Sequence, residues 1–80
     1  MDLIGFFSFQ DLLSQATALK NEGNDLYLKE ENDSACQKYS QALDTCPLEY
    51  KEERAVFLSN RAAAKKAMVR YRSDLKMTLV

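Results

Sequence analysis

Two thiols are the most reactive side chains in this chain, and their spacing limits what they can do. Cys36 and Cys46 stand ten residues apart. On one continuous helix that separation is ~15 Å at 1.5 Å per residue. A disulfide needs Cα atoms within about 7 Å, so the two should not pair within the chain. The chain has no His, and two thiols alone do not complete the four-ligand set of a structural zinc ion. The missing His also removes the commonest general acid–base. No phosphate-cradling glycine loop or nucleophile motif is present. Ser14, Ser40 and Ser59 read as solvent-facing or turn-capping residues, and Cys36 as a small packing residue inside a helix. The expectation is a protein that is not an enzyme and holds no cofactor or metal. Two unpaired thiols suit a reducing compartment, which places the chain in the cytoplasm.

Charge is unevenly spread although the net value is −1. Eleven of the twelve acidic residues lie at or before Glu53. Between Arg61 and Lys76 lie six basic residues: Arg61, Lys65, Lys66, Arg70, Arg72 and Lys76. Such a basic end can touch nucleic acid, headgroups or acidic peptides, but a solvated helix face is the preferred reading. No groove-reading or single-strand motif accompanies it, so no nucleic-acid partner is expected. The start is apolar, with Leu3, Ile4, Phe6, Phe7, Phe9, Leu12 and Leu13. It has Asp2 where a secretory signal would be basic, and it is too short to span a bilayer. Three readings stay open for it: an extra helical turn on the fold, a weak surface anchor, or an unusual terminus from alternative gene structure.

The elements that must position these groups are helices. Only one Pro and two Gly interrupt the 80 residues. The abundant Ala, Leu, Lys, Glu and Gln lose little rotamer freedom in a helix. The predicted class is all-α. Leu12, Ala16, Leu19, Gly23, Leu26 and Tyr27 recur at helical spacing and predict a first helix from about Asp11 to Glu30. Asp33 or Ser34 is the expected N-cap of a second. That helix runs to about Thr45 with Ala35, Tyr39, Ala42 and Leu43 inward, and Pro47 ends it. A third begins near Tyr50, with Glu52 and Glu53 complementing its positive end. Its span Ala55 to Met68 contains no breaker, and beyond Met68 the pattern weakens. This divides the chain into an apolar extension (1–10), a helical domain (11–68) and a degenerate tail (69–80).

Around Gly23 the spacing repeats a known pattern. Leu19 precedes it by four; Leu26, Ala35, Tyr39, Ala42 and Pro47 follow at three, twelve, sixteen, nineteen and twenty-four. Together they resemble one 34-residue tetratricopeptide repeat, in which small residues let paired helices approach and aromatics fill between them. Gly23, Ala35 and Ala42 supply the small positions, allowing roughly 8–10 Å between axes. Glycine within a helix costs about 1 kcal/mol against alanine, so close packing is the reason expected for Gly23. Leu58-Ser59-Asn60-Arg61-Ala62-Ala63-Ala64 resembles the opening of a second repeat, with Ala62 at the small position. The resemblance covers about Ala18 to Ala64 and implies an antiparallel helix-turn-helix array, one full repeat plus the first helix of another.

Leu19-Lys20-Asn21-Glu22-Gly23-Asn24 and the Asn60 segment are further similar to the carboxylate-clamp subgroup of that family. The resemblance implies an adaptor of the co-chaperone type, whose groove holds acidic C-terminal tails of heat-shock chaperones. Lys20, Asn24 and Asn60 match clamp positions. A Lys ammonium meets a carboxylate as a point charge and Asn amides donate hydrogen bonds to it. The chain also departs from the pattern. Glu30 stands where the turn usually has glycine and Asn32 where an aromatic is common. Lys65 replaces an aromatic, and Asp74 falls where a small alanine packs. The family's remaining basic clamp residues belong to a third repeat, so a truncated product with weakened binding is expected. The competing expectation is a structural fragment that packs against other helices or self-associates.

Overall fold

A computed structural model describes residues 8–79, with side chains through residue 70. Three helices follow one another: α1 (Phe9–Leu28), α2 (Asn32–Thr45) and α3 (Lys51–Leu79). The class is all-α. Helix α1 starts two residues before the predicted Asp11 because Ser8 and Asp11 cap each other. The Ser8 hydroxyl accepts from the Asp11 amide at 3.1 Å, and the Asp11 carboxylate accepts from the Ser8 amide at 3.2 Å. Two orphan donors of the first turn are thereby satisfied.

The turn into α2 corrects the expected cap. Helix α2 begins at Asn32, after Glu31, and neither Asp33 nor Ser34 caps it. The reason lies at the end of α1. Glu30 takes a left-handed φ of 63°, its amide bonds the Tyr27 carbonyl at 3.0 Å, and the Glu31 amide bonds the Leu26 carbonyl at 2.9 Å. This pair of bonds is a Schellman closure. It reverses the chain so tightly that the Glu31 carbonyl already accepts the Ala35 amide at 3.0 Å. Asp33 therefore falls inside the first turn of α2, where its charge complements the helix end.

Pro47 lies just past the end of α2, with Cys46 extended as the residue before a proline prefers. Arg54 of α3 reaches back and donates to the carbonyls of Leu43 (2.7 Å) and Cys46 (2.8 Å). The guanidinium thus satisfies the open carbonyl end of α2 and ties α3 to it. Helix α3 then continues through residues 69–79, read above as a tail, because no Pro or Gly follows Met68 to stop it.

Helix α2 packs against both α1 and α3, whereas α1 and α3 scarcely touch. One core cluster joins Ala16, Ala42, Leu43, Cys46 and Phe57, flanked by Leu13, Leu19 and Tyr50. The other joins Ala35, Cys36, Tyr39 and Ala64, flanked by Leu26 and Met68. Gly23 is buried under the ring of Tyr39: a Cβ there would lie 2.6 Å from Tyr39 Cε1. The small residue of α3 that faces the core is Ala64, and Ala62 is exposed. Two residues are about 200° of helix rotation, so both cannot share the inner face.

Candidate functional site

Lys20, Asn24 and Asn60 are half-buried. Lys20 and Asn24 are one turn apart on α1, so they share a face. Asn60 comes from α3, ten residues into that helix, and reaches Asn24 in the second half of α1. There its Nδ2 donates to Asn24 Oδ1 at 3.2 Å. The same oxygen accepts the Tyr39 hydroxyl at 2.6 Å. Three helices therefore meet in one polar cluster, with a tyrosine from α2 beneath two amides. Burial pushes the Tyr39 phenol above its ordinary pKa, so it stays a donor. Among the described residues Lys20 forms no ion pair; the pair seen there joins Lys38 to Glu22 at 2.9 Å. An ammonium and amide N–H groups on adjacent helices can together bind an anion.

The repeat pattern makes Tyr39 a space-filler, whereas its hydroxyl belongs to the polar cluster through Asn24. The available signal was the residue type, since a buried tyrosine, unlike phenylalanine, must find a hydrogen-bond partner. Leu19, Leu26 and Pro47 are half-buried, while Gly23, Ala35, Tyr39 and Ala42 are buried. Phe57, 2% exposed, is a core residue that the repeat landmarks passed over. Its signal was the spacing Phe57–Ala64–Met68, a helical stripe on one face of α3.

The remaining candidates separate. Arg61 is not a freely solvated charge: its Nη1 donates to Ser40 Oγ at 3.1 Å. Lys65, Lys66 and Arg70 are exposed, and the Arg72 and Lys76 side chains lie outside the described residues. Cys36 and Cys46 are free and buried. Burial raises the pKa of both thiols, an effect partly offset by Lys65 and Arg61 at Cys36 and by Arg54 at Cys46. Both stay protonated and weakly nucleophilic at neutral pH. Among the described residues no three metal-ligating side chains converge, and no helix is long and apolar enough to cross a membrane. An open depression of about 1030 Å³ lies elsewhere, between the α1–α2 turn and the Ala63–Arg70 part of α3. It excludes Lys20, Asn24 and Asn60.

The chain is 38% identical over 52 residues to the mitochondrial import receptor subunit TOM70 of Rattus norvegicus. The match covers 65% of this chain and 8% of that protein, so it is a short stretch of a much longer relative. No family model matches the chain, and no solved structure matches it.

Proposed function

We propose that this chain is a protein-binding helical array of the tetratricopeptide-repeat type, acting as a co-chaperone adaptor. Its ligand is the acidic C-terminal tail of a heat-shock chaperone. Lys20 meets the terminal carboxylate as a charge, and Asn24 and Asn60 donate hydrogen bonds to it. The observation that carries this reading is the meeting of Asn24 and Asn60. They are thirty-six residues apart in sequence and 3.2 Å apart across two helices. Packing alone does not require two amides there.

Similarity to a subunit of an import receptor supports a binding role over a catalytic one. The linker Cys46 to Arg54 is the feature most like tetratricopeptide repeat protein 1. The buried, protonated thiols fit a cytoplasmic setting. Titrating the protein with an acidic peptide bearing a free C-terminal carboxylate tests the proposal. A Lys20→Glu variant should bind at least about tenfold more weakly, because attraction becomes repulsion at the contact. Equal binding by parent and variant sinks it.

A second reading, assembly with other helices, draws on the outer face of α3. Leu58 is 46% and Val69 63% exposed there. Self-association should then appear as a sedimentation coefficient that rises with concentration. A persistent monomer that binds the peptide contradicts it.

A further inference from the structure

We propose that the buried hydroxyl of Tyr39 sets the orientation of the Asn24 amide, making Tyr39 a positioning residue that selects an anionic carboxylate over a neutral chain end. The inference rests on the carboxylate-binding reading above and adds to it a specificity device that the repeat pattern does not contain. That pattern asks only for an aromatic ring at this position.

Tyr39 is 1% exposed, so its single hydroxyl proton has no water to go to. Among the described residues its partner is Asn24 Oδ1, at 2.6 Å. That separation is in the range of an O–H···O bond and short for an N–H···O bond, so the amide oxygen, not the nitrogen, faces the tyrosine. Turning the amide over would set an N–H against the phenol oxygen and leave the Tyr39 proton without an acceptor in dry surroundings. Asn60 Nδ2 donates to the same oxygen at 3.2 Å, which occupies both of its lone pairs. The raised phenol pKa keeps the proton in place at neutral pH.

Asn24 is thereby committed to presenting Nδ2, with both of its hydrogens, to a ligand. Asn60 keeps its second N–H, and Lys20 adds an ammonium one turn away. A carboxylate is acceptor-only and satisfies such donors, whereas a terminal carboxamide brings N–H groups of its own. Removing the hydroxyl while keeping the ring would leave only the Asn60 contact, which the two amides can satisfy in either orientation by turning together.

The test uses the full chain and one acidic peptide in two forms, ending in a free carboxylate or in a carboxamide, titrated by NMR. The parent should prefer the free acid. In Tyr39→Phe that preference should fall about tenfold, since discrimination by hydrogen-bonding sites depends on their donors being correctly placed. Side-chain amide signals of Asn24 in the free protein should also move. An unchanged preference, or Asn24 amide signals that stay where they are in the parent, overturns the inference. Should Tyr39→Phe fail to fold, Asn24→Asp keeps an acceptor for the hydroxyl but replaces the outward donor by oxygen. It should favour the carboxamide, and binding the free acid as the parent does overturns the inference. A parent that does not discriminate the two peptides instead defeats the carboxylate-binding reading, and the Asn24 amide signals still decide the orientation.

Discussion

The α1–α2 hairpin and the α2–α3 contact are held in different ways. Between α1 and α2 the backbones come close, because Gly23, Ala16, Ala35 and Ala42 present almost nothing above the helix surface. The Tyr39 ring lies against Gly23 and fills the space that remains. Against α3 the contact depends on a few long side chains: Phe57 in one cluster, Met68 beside Ala64 in the other, and the Arg54 guanidinium on the end of α2. The outer face of α3 carries exposed Leu58 and Val69. Small residues spread along a seam tolerate no insertion, while large residues at a few points tolerate no deletion.

Deletion at α3 should have the largest effect. Phe57→Ala is expected to cost about 3–5 kcal/mol. That is enough to unfold a chain of marginal stability, and urea denaturation followed by circular dichroism measures it. A variant that unfolds at the parental midpoint would show that α3 is held by something other than Phe57.

Insertion at the hairpin comes next. Gly23→Ala gains about 1 kcal/mol of helix propensity but drives a methyl into a ring with no room to move. Overpacking of this kind typically costs about 1–3 kcal/mol, so we expect a net loss of about 1 kcal/mol once the propensity gain is subtracted. Stabilisation by Gly23→Ala would mean that the seam is looser than the geometry implies.

The turn joining the two hairpin helices offers a change of opposite sign. Glu30 holds a left-handed φ that glycine adopts without strain. Glu30→Gly should stabilise the hairpin by about 1 kcal/mol, read as a higher melting temperature. If the melt is lowered, the glutamate side chain contributes something the turn geometry does not reveal.

The smallest effect is a pH dependence shared by both contacts. Cys36 and Cys46 have folded-state pKa values raised above the ordinary 9.0 by burial. A raised pKa favours the protonated form in the folded state. The associated stability is fully present below the unfolded pKa and is lost as pH rises through the folded value. The melting temperature should therefore hold steady through neutral pH and fall above about 9. Replacing both cysteines by alanine should flatten that decline, and an identical decline would assign it to other groups.

Much of the fold is legible in the sequence. Gly23, Ala35, Tyr39 and Ala42 are all buried, because a close helix–helix seam depends on small side chains at fixed helical intervals and that requirement is local and periodic. The N-cap of α2 was not legible. Asp33 and Ser34 are good capping residues by type, yet the Schellman closure at Glu30 had already carried the chain into the helix. Ala62 against Ala64 was a problem of phase. In a run of three alanines, composition cannot tell which one turns inward, and the contact with α2 decides it.

The candidate site divides along the same line. Lys20 and Asn24 could be placed on one face of one helix from their spacing alone. That Asn60 would reach Asn24, and that Tyr39 would lie beneath both, depended on how α3 crosses the hairpin. Helical content, the order of the three helices and the small-residue seam were determined by the sequence itself, since they follow from propensity and period. The oxygen-inward amide of Asn24 was decided only by tertiary structure, because it needs a buried proton from one helix and an amide from another to meet at a single atom.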